Sequence, residues 1–329
     1  MKHKVSMQDI ADQLNITKVS VSKALNNKPG VSESLRSRIL GLAEEMGYRS
    51  PRSAVTKKTF AFLMQKRFFL ETYKFYNVIF FHLNKLCANA NCQLIPVVIE
   101  AEETNIQMPE NADGIFLLGE CPDSYLKSIS MSMSLAAPIV AVDFYKNYLD
   151  VNYVLVDNFY LGYCATLYLI DKGHRDIGFV GNINQTSSIN DRYFGYLKAL
   201  QNTGLIYREK YVFANDDCSI YKLDVNLPDP LPTAFVCHCD MAAYFMMNSL
   251  KNINKSIPED VSLISFDNTD LSLSTTPQLT SMDIDTKEIA ETAFSVMEQI
   301  LQGKESYHRY YVSTRLIERD SVKAIEKLY

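Results

Sequence analysis

Apolar positions change their period along the chain, and those changes divide it. Over residues 7–14, Met7, Ile10, Ala11 and Leu14 recur at three and four, one stripe over two helical turns. Ser6-Met7-Gln8-Asp9 opens that helix: the hydroxyl can accept the third amide, and the carboxylate suits the positive helix end. Asn15, which enters the left-handed region cheaply, ends it. Thr17 caps a second short helix, from residue 18 to about 26, with Val21, Ala24 and Leu25 on one side and Lys18, Val19, Ser22 and Lys23 on the other. After the break at Asn27-Lys28-Pro29-Gly30, Ser32 caps a third helix with Leu35, Ile39, Leu42 and Met46 inward and Gly47 as its left-handed end. Three short helices around one core, the second of them basic, make a DNA-reading module, although a purely structural three-helix bundle fits the same pattern.

Beyond residue 59 the period gives way to apolar runs bounded by turns, at 59–64, 93–99, 114–118, 138–142, 153–156, 177–180, 233–237 and 262–266. Runs this continuous suit strands buried on both faces, as in parallel sheets. Helical periodicity returns between them, at 75–89, 158–172, 192–203, 241–252 and 286–302, with Gly173 and Gly204 as C-terminal caps. Strand-helix alternation in two halves predicts an α/β body of two doubly wound lobes with a cleft at the strand ends.

Charge sharpens the division. Residues 1–59 carry 11 Lys+Arg against five acids, whereas the other 270 carry 22 against 33, so a head of net +6 sits on a body of net −11. A compact basic segment concentrates cations where a polyanion releases its counterions, though a merely solvated helix face would also look basic. The seven cysteines are irregularly spaced and read as reduced thiols in a soluble, cytoplasmic chain with no membrane-spanning run. Phosphate-loop, dinucleotide, nucleophile-elbow and zinc-peptidase motifs are all missing, so an enzyme is the weakest reading and no cofactor is expected. Cys237-His238-Cys239-Asp240 lacks a second ligand pair for zinc and reads as a strand end, with Asp240 capping a helix that starts at Met241.

The runs Met7-Gln8-Asp9-Ile10-Ala11, Ile16-Thr17-Lys18-Val19-Ser20-Val21-Ser22-Lys23-Ala24-Leu25-Asn26 and Lys28-Pro29-Gly30-Val31-Ser32 resemble the head of the LacI/GalR family of bacterial transcription regulators. The resemblance continues through Gly173-His174-Arg175-Asp176-Ile177, Ile257-Pro258-Glu259-Asp260-Val261, Ser265-Phe266-Asp267-Asn268 and Pro277-Gln278-Leu279-Thr280, and is weakest over 60–110. It implies a head at 1–48, a hinge at 49–59 and a periplasmic-binding-protein-like effector domain at 60–329. The N-lobe would hold about 60–156 plus 284–311, and the C-lobe about 157–283 plus 312–329. By this resemblance Lys18, Val19 and Lys23 reach base edges, while Thr17, Ser20, Ser22, Asn26 and Ser32 position the head on phosphates. The stretch 49–59 is about three residues short of the family pattern and lacks its Leu wedge, leaving Arg52, Lys57 and Lys58 for phosphate.

In the body the resemblance places an effector on Arg192, which opens a helix, and on Asp267, which follows a buried strand, with Tyr76 as a further candidate; Asp143, also a carboxylate just past a strand, is a fourth. Each has a second reading: Arg192 and Asp267 could pair with each other, Tyr76 could be core and Asp143 could cap a turn. Cys239 stands where sugar-responsive relatives carry Asn, which puts an ordinary hexose in question. The family implies a homodimeric repressor on a pseudo-palindromic DNA operator, controlled by a small molecule, a sugar or related polar metabolite. The alternative is a small-molecule-binding protein with a degenerate head.

Overall fold

The computed structural model describes residues 5–25, 30–46, 48, 57–66, 74–100, 108–109, 112–132, 137–213, 227–304 and 308–325. The chain divides into two compact units, Met1–Lys58 and Thr59–Tyr329.

In the first unit, α1 spans Met7–Leu14, α2 Lys18–Leu25 and α3 Glu33–Glu45. The expected capping box forms: Asp9 N–H donates to Ser6 Oγ at 3.3 Å and Ser6 N–H to the Asp9 carboxylate at 2.6 Å. Asn15 takes φ 54 and turns the chain so that the Ile16 amide closes on the Ala11 carbonyl at 3.0 Å. Ile10, Ala11, Val21, Ala24, Ile39 and Ala43 are buried at the centre, with Leu14, Leu25, Leu35, Leu42 and Met46 packed around them. Arg36, on α3, donates to the Ala24 carbonyl at 3.1 Å, satisfying a carbonyl that the end of α2 leaves over. The expected glycine cap at Gly47 and most of the break at 27–29 lie outside the described residues.

The second unit holds two six-stranded sheets. Its elements are β1 (Thr59–Gln65), α4 (Lys74–Asn89), β2 (Gln93–Ile99), β3 (Gly114–Leu118), α5 (Asp123–Ser132), β4 (Ile139–Val142), β5 (Asn152–Leu155), α6 (Asn158–Asp171), β6 (Ile177–Val180), α7 (Ser187–Asn202) and β7 (Val212–Phe213). There follow β8 (Ala234–Cys237), α8 (Asp240–Asn252), β9 (Ser262–Asp267), α9 (Asp270–Ser274), β10 (Thr280–Ile284), α10 (Thr286–Leu301), β11 (Arg309–Tyr311) and β12 (Thr314–Ile317). The first sheet, ordered β11-β5-β4-β3-β1-β2, is parallel throughout. The second, ordered β12-β10-β9-β8-β6-β7, is parallel except for β12, which runs antiparallel to β10.

Central strands β1, β3, β8 and β9 are buried along nearly their whole length, as their unbroken apolar sequences require. The expectation of burial on both faces fails for β2. It is an edge strand whose burial alternates, and it carries Pro96, a residue that cannot donate to a ladder and so belongs at an edge. Two purely parallel sheets were expected; the antiparallel β12 follows because the chain returns from β11 in the first sheet after only two residues and enters the second from its opposite end. Among the described residues the chain passes between the sheets three times, near 156, 285 and 312. Glycines at the ends of α6 and α7 terminate those helices as expected, Gly173 at φ 101 and Gly204 at φ 70.

Candidate effector pocket and nucleic-acid interface

Open α/β sheets place ligands outside the carboxyl ends of their strands, where side chains leave the sheet and meet no helix. Asp143 stands immediately after β4, Asp267 ends β9, and His238 and Cys239 follow β8. With Phe75 and Tyr76 at the start of α4 and Thr186, Ser188 and Arg192 around the start of α7, these residues line one cleft of about 480 Å³, mouth included. All five predicted effector residues, Tyr76, Asp143, Arg192, Cys239 and Asp267, border this single space. Two come from the lobe of the first sheet and three from the lobe of the second.

Arg192 does not open its helix. Thr186 caps α7, accepting the Ile189 amide at 3.2 Å, so the helix begins at Ser187 and Arg192 lies in its second turn. The signal was present as Thr186-Ser187-Ser188 but was obscured by the polar, turn-like run before it. From this position Arg192 is almost entirely buried. Its Nε donates to Asn158 Oδ1 at 2.8 Å, its Nη1 to the His238 carbonyl, and its Nη2 to Asp267 Oδ1 at 3.3 Å. The guanidinium also lies over the Phe266 ring, 4.7 Å from its centroid. The pairing of Arg192 with Asp267 is thus made, with both side chains still on the cleft wall.

Tyr76 is both core and cleft lining: it is buried, and its hydroxyl donates to Asp143 Oδ2 at 2.8 Å. The expectation that Asp143 could cap a turn is not met. Its backbone is left-handed (φ 60) and its carboxylate faces Tyr76, with Oδ1 buried and without a hydrogen-bond partner among the described residues. Asp267 is also left-handed, at φ 90. Burial pushes both carboxyls up, Asp143 to about 6 against the Tyr76 hydrogen bond and the charge of Arg192, and Asp267 to about 7 against Arg192, with Asp240 and then Asp143 adding to the rise.

The Cys237-His238-Cys239-Asp240 run departs from expectation in one respect. Cys239, not Asp240, caps α8: its Sγ faces the Ala242 amide at 3.5 Å. Asp240 is the first residue of the helix, and its carboxylate turns into the lobe, accepting from Ser265 Oγ at 2.6 Å, Ser281 Oγ at 2.7 Å, and the Thr269 amide and hydroxyl at 2.6 and 2.9 Å. The apparent cap signal hid a buried polar hub joining the start of α8 to β9, β10 and Thr269. His238 is held neutral by burial and by Arg192, which push it down to about 4. Its Nδ1 lies 3.2 Å from the Val180 carbonyl and must be the donor there, so Nε2 is an acceptor, facing the Cys239 thiol at 3.4 Å. Burial pushes that thiol up to about 12.

Sequence reasoning missed the contacts that close the cleft's rim. Glu120, two residues past β3, accepts from Ser187 N and Oγ at 3.1 and 2.9 Å and pairs with Lys146 at 2.7 Å. Tyr145 donates to Asp191 at 3.4 Å. Glu120 could have been found by the same rule that singled out Asp143 and Asp267, a carboxylate just past a buried strand.

In the head, Lys18 and Val19 are exposed on α2, Val19 by 63%, while Ser22 and Lys23 are half-buried. Thr17 accepts the Ser20 amide at 3.1 Å and its hydroxyl meets that of Ser20 at 2.9 Å; Ser32 accepts the Leu35 amide at 3.4 Å. Three predicted phosphate contacts therefore already serve as caps or cap partners. Asn26 and Arg52 lie outside the described residues.

Known proteins carry both units. Residues 6–50 match the model for bacterial regulatory proteins of the lacI family, and residues 166–322 match a periplasmic binding protein-like domain. The HTH-type transcriptional repressor PurR of Pectobacterium carotovorum subsp. carotovorum is 31% identical over 220 residues, 65% of this chain and 64% of PurR, so the chain spans just under two thirds of that relative. The NTD biosynthesis operon regulator NtdR of Bacillus subtilis is 27% identical over 340 residues, 96% of this chain and 99% of NtdR. The lac repressor dimer bound to operator and the anti-inducer ONPF superposes with a TM-score of 0.71, covering 98% of this chain and 100% of that one at 15% identity, a likeness of fold alone. The chain belongs to the lacI family of bacterial regulatory proteins, a family of transcriptional regulators rather than enzymes, with a helix-turn-helix head and a periplasmic-binding-protein-like body.

Proposed function

We propose that this regulator is a cytoplasmic, homodimeric repressor that binds a pseudo-palindromic operator through α2 and is controlled by a small polar molecule in the cleft between its lobes. The observation that supports the effector role is the convergence of Tyr76, Asp143, Arg192, Cys239 and Asp267 on one cleft. Concave sites with a few convergent polar groups and perturbed carboxyls are where small molecules bind. The DNA role draws on an apolar side chain, Val19, left out on the exposed face of α2 beside Lys18. A methyl-bearing side chain next to a cation suits a thymine methyl and a base edge in the major groove. One head reads only a few base pairs, so a twofold pair of heads is needed for useful discrimination. The lac repressor, which this chain resembles in fold, is bound to its operator as a dimer.

The test is sequencing of duplexes recovered by the full-length protein from a randomised library at near-physiological salt. A short inverted repeat is expected. Recovery without an enriched motif would leave only charge-driven binding and favour a ligand-binding protein with a degenerate head.

A further inference from the structure

The cleft holds one cationic donor beside the neutral amide and hydroxyls of Gln185, Thr186 and Ser188. Arg192, its one strong donor, already spends an N–H on each of Asn158, the His238 carbonyl and Asp267. His238 is neutral, with its Nε2 an acceptor, and Cys239 offers a weakly polar thiol in place of an amide. Against this stand Asp143, whose buried Oδ1 has no partner among the described residues, and Asp267, which gives only one oxygen to Arg192 in the contacts above. With both carboxyls ionised, Arg192, Asp143 and Asp267 together carry a formal −1. The adjoining hollow of the same interlobe seam, which shares Asp143 and Ser188, adds Asp157 and Asp191; its cation, Arg309, lies over the ring of Tyr145 at 5.2 Å.

The two carboxylates also belong to different jaws. Asp143 follows β4 of the first sheet and Asp267 ends β9 of the second; both border the cleft, and when both are ionised they repel each other. A buried acceptor without a donor costs the full desolvation of that group, and like charges drawn together cost more. A neutral hydroxyl relieves the first cost only, and an anion worsens both.

We propose that the effector is a cationic, amine-bearing polar molecule, with its ammonium held between Asp143 of one lobe and Asp267 of the other. This rests on the reading of the cleft as the effector site. The ammonium supplies the missing donor to Asp143, offsets the net charge and converts an interlobe repulsion into two charge-assisted hydrogen bonds. It would thereby draw the jaws together, the differential contact that a closing ligand needs.

The experiment is a thermal-shift screen of the full-length protein at neutral pH with matched probes: glucosamine, galactosamine, spermidine and agmatine as amines; glucose, galactose and adenosine as neutral molecules; glucose 6-phosphate and gluconate as anions. Titration calorimetry follows on every stabilising probe, with Asp143→Asn, Asp267→Asn and Arg192→Gln variants whose folding is checked by circular dichroism. At least one amine should bind tenfold or more tighter than its hydroxyl counterpart, and either Asn variant should erase that preference. Failure of every amine to stabilise, or a neutral or anionic probe binding as tightly as its amine counterpart, overturns the proposal. If such a probe loses binding in Arg192→Gln, the cleft reading survives that failure. Stabilisation that persists in all three variants overturns the cleft reading as well.

Discussion

Helices α6 and α7 meet backbone to backbone at Gly162 and Gly195, and one added methyl group tests that contact. A Cβ at 162 would sit 2.0 Å from the Arg192 carbonyl oxygen and 2.7 Å from its carbonyl carbon; a Cβ at 195 would sit 2.1 Å from the Phe159 carbonyl oxygen and 2.6 Å from the Tyr163 amide nitrogen. Carbon meets a carbonyl oxygen at no less than about 3.3 Å, so either substitution to Ala must part the helices by about 1 Å. No flexible side chain can yield, because the obstacles are backbone atoms. Overpacking of this kind costs about 1–3 kcal/mol, and parting two long helices forfeits dispersion along the whole interface. The opposing gain, Ala over Gly inside a helix, is about 1 kcal/mol. We expect Gly162→Ala and Gly195→Ala each to lower the unfolding free energy by a net of about 2 kcal/mol, measured by urea unfolding followed by far-ultraviolet circular dichroism. The double variant should lose less than the sum by about 1 kcal/mol or more, since the first methyl opens room for the second. A single variant within about 0.5 kcal/mol of the parent, or strict additivity, would refute the close approach.

Asp143→Asn should alter the pH dependence of stability. Its carboxyl is raised from 3.8 to about 6, so stability present below the unfolded value is lost as pH rises through 6; the variant should gain about 2 kcal/mol on the parent between pH 4 and 7.5, read from urea midpoints. Asp240→Ala leaves the Thr269 amide and the Ser265 and Ser281 hydroxyls without their acceptor and should cost about 3 kcal/mol by the same measurement. Ser6→Ala removes half of the capping box and should cost the head about 1 kcal/mol, seen as earlier melting of its helices. On the sequence enriched from the randomised library, Lys18→Ala and Lys23→Ala should each weaken binding by about 1–3 kcal/mol and relax preference at one base pair if they read bases. A uniform loss across sequences, with a salt slope lower by about 1, would assign them to phosphate instead.

The head was legible because its signals are local. A capping box, an Asn at a left-handed turn and a three-four apolar stripe act within a few residues, and Ser6, Asn15 and Ile10 do what those patterns specify. Buried strands such as β3 and β6 were legible at their limits because they are unbroken apolar runs between turns. The short edge pieces β7, β11 and β12 carry too few residues to show a period, and pairing partners far away in sequence bring them into the sheets. At the cleft, residue type marked Asp143, Asp267 and Arg192, but their partners were not readable. Asn158 and the His238 carbonyl meet Arg192 across 34 and 46 residues, and only the placing of α7 beside the start of α6 and the end of β8 decides that they do. Asp240 shows the limit most plainly: next to a helix start it has the chemistry of a cap, and only the placement of Ser265 and Ser281 turns it inward.

These placements put α7 at a junction of the two lobes. Its first residue, Ser187, holds Glu120 of the opposite lobe by backbone and side chain; Asp191 meets Tyr145 of that lobe; Arg192 grips Asp267 in the cleft; and Gly195 is pressed against α6, the helix that begins just after the crossover near residue 156. A ligand that competes for Asp267 therefore acts on a helix that already touches the other lobe and one of the three crossovers. Because the Gly162–Gly195 contact is backbone on backbone, side-chain rearrangement alone cannot relax it. On the proposed function, a change of partner at Arg192 would alter the lobe angle only to the extent that the ligand binds two lobe arrangements with different affinity. Glu120→Gln weakens the Ser187 contact and also relieves Asp143, whose carboxyl the Glu120 charge helps to raise, so on the proposed function it should change effector affinity in titration calorimetry, and an unchanged affinity would count against that coupling.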